Sequence, residues 1–172
     1  MIIRSISLFL ALFAVVLIED GFISSLPYPL SLTPLVFVLG VLLYHFTRPS
    51  LGCVWLIAAG ALLDFIGLPG SSHLLAYATA GLVGLFLDRR VFTNHSLYAM
   101  IGLGASMWTV SSLIEEIWMA VRQAMIGRPL SLAFFSEIFW TRLFVFSLAL
   151  LVAFMLIRRF STFIKRQFLL RG

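Results

Sequence analysis

Leu51–Gly84 reads LGCVWLIAAGALLDFIGLPGSSHLLAYATAGLVG, two apolar runs on either side of the turn Leu68-Pro69-Gly70-Ser71-Ser72. Both runs carry small residues at helical spacing, so the stretch reads as a hairpin of two membrane helices against which other helices can pack. Within it, Asp64 puts a carboxylate where lipid would otherwise be. Gly60 and Gly67 lie at i−4 and i+3 from Asp64 and share its helix face, which lets a neighbouring backbone approach closely.

The rest of the chain extends this pattern. Of 172 residues, 62% are hydrophobic and 11% charged, against roughly 25% charged in an ordinary soluble domain. Apolar runs recur throughout, and the connections are too short for a soluble domain of about 50 residues or more. The expected fold is therefore all-α, a polytopic bundle of six transmembrane helices in one domain. The expected spans are 5–20, 34–46, 51–68, 72–87, 96–125 and 132–157, followed by a basic amphipathic tail, 158–172. Glu19 and Asp20 stand where a secretory leader would have its small-residue cleavage site, so the first run is read as an uncleaved helix.

Charge distribution predicts the topology. Arg4, Arg48, Arg89, Arg90, Arg158, Arg159, Lys165, Arg166 and Arg171, nine of the twelve basic residues, fall on the side of the termini. Arg122 and Arg128 fall on the other side, with Glu19, Asp20, Glu115 and Glu116. By the positive-inside rule both termini are cytoplasmic. The net charge of +5 thus reports membrane orientation, and no nucleic-acid partner is expected because the basic residues do not form one folded face. Cys53 is the single cysteine, which excludes an intrachain disulfide and a thiol-rich metal site.

Asp64 has two structural readings. In the first it caps the turn between the third and fourth helices, accepting hydrogen bonds from Ser71, Ser72 or free backbone amides. In the second it pairs with Arg142, which enters the sixth helix from the outer side at matching depth, in a buried polar cluster with Glu137. An intramembrane carboxylate costs about 2.5 to 3.5 kcal/mol at mid-bilayer, so Asp64 must face protein or water. Ser72, Ala76, Ala80 and Gly84 form a small-residue stripe for helix packing, and Ala105, Thr109, Ser112 and Glu116 form a small or polar face expected to turn toward the bundle.

No catalytic or metal set assembles. Glu115-Glu116 resembles the opening of the motif of intramembrane CAAX-type metalloproteases, but position 120, which needs arginine, is Ala120. His45, His73 and His95 lie near helix ends on opposite sides, poor geometry for a shared metal. Asp64 lacks a second intramembrane aspartate, a serine triad cannot be built, and no glycine-rich phosphate loop is present. No cofactor is expected.

The order Thr33-Pro34-Leu35-Val36-Phe37-Val38-Leu39-Gly40, Arg48-Pro49, Gly60-Ala61-Leu62-Leu63-Asp64, Gly67-Leu68-Pro69-Gly70 and His73-Leu74-Leu75-Ala76-Tyr77 resembles the rod-shape-determining MreD family. The resemblance covers about a third of the chain closely. It implies a nonenzymatic component of the peptidoglycan elongation machinery in the bacterial inner membrane. Such a protein binds MreC and links the MreB filament to the RodA glycosyltransferase and its class B penicillin-binding partner. It also implies a fold similar to the substrate-binding subunits of energy-coupling-factor vitamin transporters, which makes such a subunit the alternative. Against it, Ala11 and Ala14 on the first helix are three apart, not the four-step alanine pair that a transport partner's contact favours. On physical grounds, partner contacts are expected at Arg122, Arg128 and the apolar segment 130–135 outside. Arg48, Arg89, Arg90, Arg158, Arg159, Lys165 and Arg166 are expected to meet partners or anionic membrane lipids inside.

Overall fold

The computed structural model describes residues 2–66, 72–92, 96–127 and 137–169, with side chains over 7–66, 72–92, 96–127 and 138–159. The described residues form six α-helices: α1 (Ile2–Gly21), α2 (Leu35–Phe46), α3 (Pro49–Ile66), α4 (His73–Arg90), α5 (Leu97–Met125) and α6 (Glu137–Leu169). Two single 3-10 turns, Ile23–Ser25 and Leu30–Leu32, connect α1 to α2. Stretches of α1, α3, α5 and α6 are long and apolar enough to cross a membrane, four in all among the described residues. The chain is a membrane-embedded helical protein.

Helix ends follow local chemistry. Arg48-Pro49 separates α2 from α3 as expected, but α3 begins at Pro49 itself, not near residue 51. Proline suits a first helical position, where its missing N–H would have had no partner. α6 does not stop near residue 157: it continues into the basic tail as far as Leu169, one helix of 33 residues, because no glycine or proline interrupts 137–169. α2 has only 12 residues, a rise of about 18 Å against a hydrocarbon core of about 30 Å. Gly67 and the predicted turn up to Ser71, together with Arg128 and segment 130–135, lie outside the described residues.

Helix ends gather at two faces. The late residues Glu19 (α1), Leu63 (α3) and Glu115 (α5) surround one recess with Pro34, His73 and Arg142, at or near the starts of α2, α4 and α6. Consecutive helices therefore alternate in direction. At the other face, His45 at the end of α2 approaches Phe154 of α6, with ring centroids 6.1 Å apart.

The short α2 is the hub. It packs against α1, α3, α5 and α6, and Val36, Phe37, Val38, Val41, Leu42 and Tyr44 are all buried. Phe37 meets Tyr77 of α4 and Trp108 of α5 edge-on, each at 5.3 Å between centroids, and Phe146 of α6 at 5.7 Å. Edge-to-face pairs of this kind contribute about 0.5 to 1.5 kcal/mol each beyond area burial. One α2 side chain thus joins three other helices.

The α3–α4 hairpin packs as its small residues predict. Ala76, Ala80 and Gly84 are buried, while Ser72, at the helix start, is half-buried. The structure adds an insertion that the stripe alone does not reveal: the Tyr44 ring lies against Gly52 of α3 and Gly84 of α4, and its hydroxyl donates a hydrogen bond to the Gly81 carbonyl. A Cβ at Gly52 would collide with the Tyr44 ring at Cδ2, so the absence of a side chain there makes room for the ring. Tyr44→Phe keeps the ring and loses the hydroxyl. A loss of about 1 kcal/mol is expected, as a lower melting temperature in mild detergent; an unchanged value would show that the hydroxyl contributes nothing.

On α5 the buried face is shifted from the expected one. Met100, Leu103, Gly104, Met107 and Ser111 are buried, whereas Ala105, Thr109, Ser112 and Glu116 are half-exposed. Large apolar side chains win the interior. Thr109 satisfies its hydroxyl locally by donating to the Ala105 carbonyl at 2.8 Å, which removes its need for a partner on another helix.

Candidate functional site

The recess between the late residues of α1, α3 and α5 and the starts of α2, α4 and α6 gathers polar side chains from several helices. Its volume is about 270 Å³, and Glu19, His73, Tyr77, Trp108, Glu115 and Arg142 are among its lining. Tyr77 and Trp108 lead into the aromatic cluster, where Phe37 and Phe146 are fully buried.

Two carboxylates at its edge serve helix starts. Neither Pro34, before α2, nor Ser72, before α4, caps its helix with a side-chain hydrogen bond. The first amides of a helix lack intrahelical acceptors and carry partial positive charge. At α2 the acceptor is Glu19, whose Oε2 takes the Val36 N–H at 2.6 Å. At α4 it is Asp64, whose Oδ1 and Oδ2 take the His73 and Leu74 N–H groups, each at 2.9 Å. In both cases the end of one helix caps the start of the next across a chain reversal. α5 differs, since its own N-cap Ser96 accepts from the Ala99 amide at 3.2 Å.

Asp64 therefore fills the capping role predicted for it, with backbone amides as donors. Arg142 lines the recess with Glu19 and Glu115. Glu19, His73, Glu115 and Arg142 surround the recess, and Asp64 holds α4 beside it. Glu137 opens α6, and its side chain lies outside the described residues.

His73 also links helices. Its Nδ1 lies 3.0 Å from Glu115 Oε1, with the two side chains 37% and 34% exposed. A pair this exposed contributes about 0.2 to 1 kcal/mol, so it sets the position of α4 against α5 more than it sets stability. Glu115→Gln keeps an acceptor for the ring and is expected to shift stability by less than about 0.5 kcal/mol in a detergent melt. A loss several times larger would make the pair a main tie of the bundle.

The remaining predicted contact residues are dispersed. Arg48, Arg89, Arg90, Arg158 and Arg159 are exposed, and Arg122 is half-buried. The Arg158 guanidinium carbon sits 5.7 Å from the centre of the Phe154 ring, within cation–π range. The side chains of Lys165 and Arg166 lie outside the described residues, on the helical continuation of α6.

Sequence reasoning missed Glu19, His73 and Glu115 as partners of other helices and treated them as flanking charges. The available signal was negative: Pro34 has no side-chain acceptor with which to open α2, so a distant acceptor had to supply it. No family model, curated protein or solved structure matches the chain.

Proposed function

We propose that this protein is a nonenzymatic scaffold of the bacterial inner membrane, acting as an MreD-like component of the elongation complex. In this reading six helices cross the membrane with both termini in the cytoplasm. The chain binds MreC and links it to MreB, RodA and the class B penicillin-binding partner, and so regulates cell shape and peptidoglycan synthesis. The observation that carries the reading is the use of its interior polar groups. Glu19, Asp64, Tyr44 and Trp55 each hydrogen-bond the backbone of another helix, so these groups serve architecture. Contact work then falls to the charged ends and the apolar flanks. The ordered motifs over 33–77 support the family assignment.

The alternative is a substrate-binding subunit of a vitamin transporter, favoured by the polar recess. In that recess the Trp108 indole Nε1 is buried without an acceptor among the described residues. Its volume of about 270 Å³ falls below the roughly 300 to 1,000 Å³ of sites that enclose drug-sized ligands, which weighs against a vitamin.

Recovery from mild detergent separates the two. The tagged full-length chain, co-expressed with its host's MreC, is expected to bring MreC down in defined stoichiometry. Recovery of an energising ATPase module in place of MreC would overturn the scaffold reading.

A further inference from the structure

At the end of α3 remote from the recess, a groove between α1 and α3 joins an apolar channel to a cationic mouth. The apolar part, about 310 Å³, has Leu12 and Trp55 as its floor and Phe9 and Val54 as its rims. Leu12 and Trp55 are 2% and 8% exposed, whereas Phe9 and Val54 are 58% and 62% exposed. The floor is held in place by the Trp55 indole, which donates to the Val36 carbonyl at 3.1 Å. Leu51 and Val54 also line a second pocket, of about 510 Å³, with Thr47, Arg48 and Ser50. The mouth therefore presents the Arg48 guanidinium beside Ser50, a cation and a hydroxyl that favour an anion.

Dimensions limit the occupant. From Arg48 to Ala58 the helix rises about 15 Å, half of the roughly 30 Å hydrocarbon core and so the depth of one leaflet. Spread over the roughly 10 Å from Leu51 to Ala58, the apolar volume has a mean cross-section of about 30 Å². That is enough for one hydrocarbon chain laid along the groove.

We propose that this groove binds a single anionic phospholipid, one acyl chain lying between α1 and α3 and the headgroup phosphate at Arg48. The site requires only that the chain lie in a membrane, so it stands or falls apart from the scaffold reading. Charge at the mouth selects anionic over zwitterionic headgroups, and the apolar channel separates a lipid from a free phosphate.

Native mass spectrometry of the full-length chain in mild detergent tests it, with titration by phosphatidylglycerol or by phosphatidylcholine of the same acyl chains. The wild type is expected to retain one phosphatidylglycerol in preference to phosphatidylcholine. Arg48→Gln should cut phosphatidylglycerol occupancy about fivefold, to the level of the zwitterionic lipid. Ala58→Phe, which fills the inner end of the groove, should lower occupancy by both lipids, and Val54→Asn on the exposed rim should do the same if the first variant fails to fold. Arg122→Gln, a loss of the same charge at the opposite face, should leave the adduct unchanged. Equal retention of the two lipids, undiminished occupancy in Arg48→Gln, or an equal loss in Arg122→Gln would overturn the site. A groove variant that dissolves a protein dimer without changing lipid retention would assign the groove to a second copy of the chain.

Discussion

Replacing Gly60 by valine is expected to lower stability by about 3 kcal/mol. A Cβ at position 60 would stand 2.6 Å from the His73 carbonyl oxygen, 2.8 Å from Leu74 Cα and 2.9 Å from the His73 carbonyl carbon. All three atoms belong to backbone, so no rotamer change relieves the clash. Overpacking a core ordinarily costs about 1 to 3 kcal/mol, and here the relief is separation of α3 from α4 at the point where Asp64 holds the first amides of α4. The cap is lost with the packing. Even Gly60→Ala should lower the melting temperature measurably. Gly21 provides the control: a Cβ there meets nothing within 4 Å, so Gly21→Ala should change stability by less than about 0.5 kcal/mol. A Gly60→Val protein that melts with the wild type would mean that α3 and α4 do not touch there.

Asp64→Ala should cost about 2 to 3 kcal/mol, and Asp64→Asn about half as much. The carboxylate accepts two backbone hydrogen bonds, and hydrogen bonds to a charged group contribute about 1.5 to 3 kcal/mol each when well buried. The estimate stays at the lower end because Asp64 is half-exposed and released amides near the helix start regain some solvation. Asparagine keeps one acceptor oxygen and loses the charge. The sign is discriminating. If Asp64 were only an insertion burden, alanine would relieve up to about 2.5 to 3.5 kcal/mol of membrane cost and improve accumulation. As a cap its removal must loosen the α3–α4 reversal, and detergent melts report this directly because the helices separate there without leaving an apolar phase. Gly60→Val and Asp64→Ala act on the same two residues, His73 and Leu74, so the double variant should lose less than the sum of the singles. Full additivity would show that packing and capping act independently.

The two substitutions mark where sequence reading succeeds and where it stops. Around Asp64 it went far: a carboxylate near a helix end, flanked by glycine at i−4, has few stable arrangements in lipid, and a cap on the next helix is one of them. The stripe Ala76, Ala80, Gly84 faced protein for the same reason, since small residues in a membrane helix mark close approach. On α5 the same reasoning chose a neighbouring face, because hydroxyls that bond their own helix carry no information about direction. Glu19 shows the limit most clearly. Its partner, the Val36 amide, is 17 residues away, beyond a connection of two 3-10 turns whose path no local pattern specifies.

Composition and apolar length by themselves determined a membrane-embedded all-helical protein, because a chain this apolar must satisfy its backbone within each helix. Charges and prolines likewise placed most helix ends within a few residues. Tertiary structure alone decided that the short α2 is the hub, that Tyr44 seats its ring against Gly52 and Gly84, and that Glu19, His73, Glu115 and Arg142 share one recess. The physical reason is range. Helix formation and membrane insertion are read residue by residue along the chain, whereas a cap supplied by another helix, or a ring placed between two others, depends on how far each helix is rotated and shifted against its neighbours.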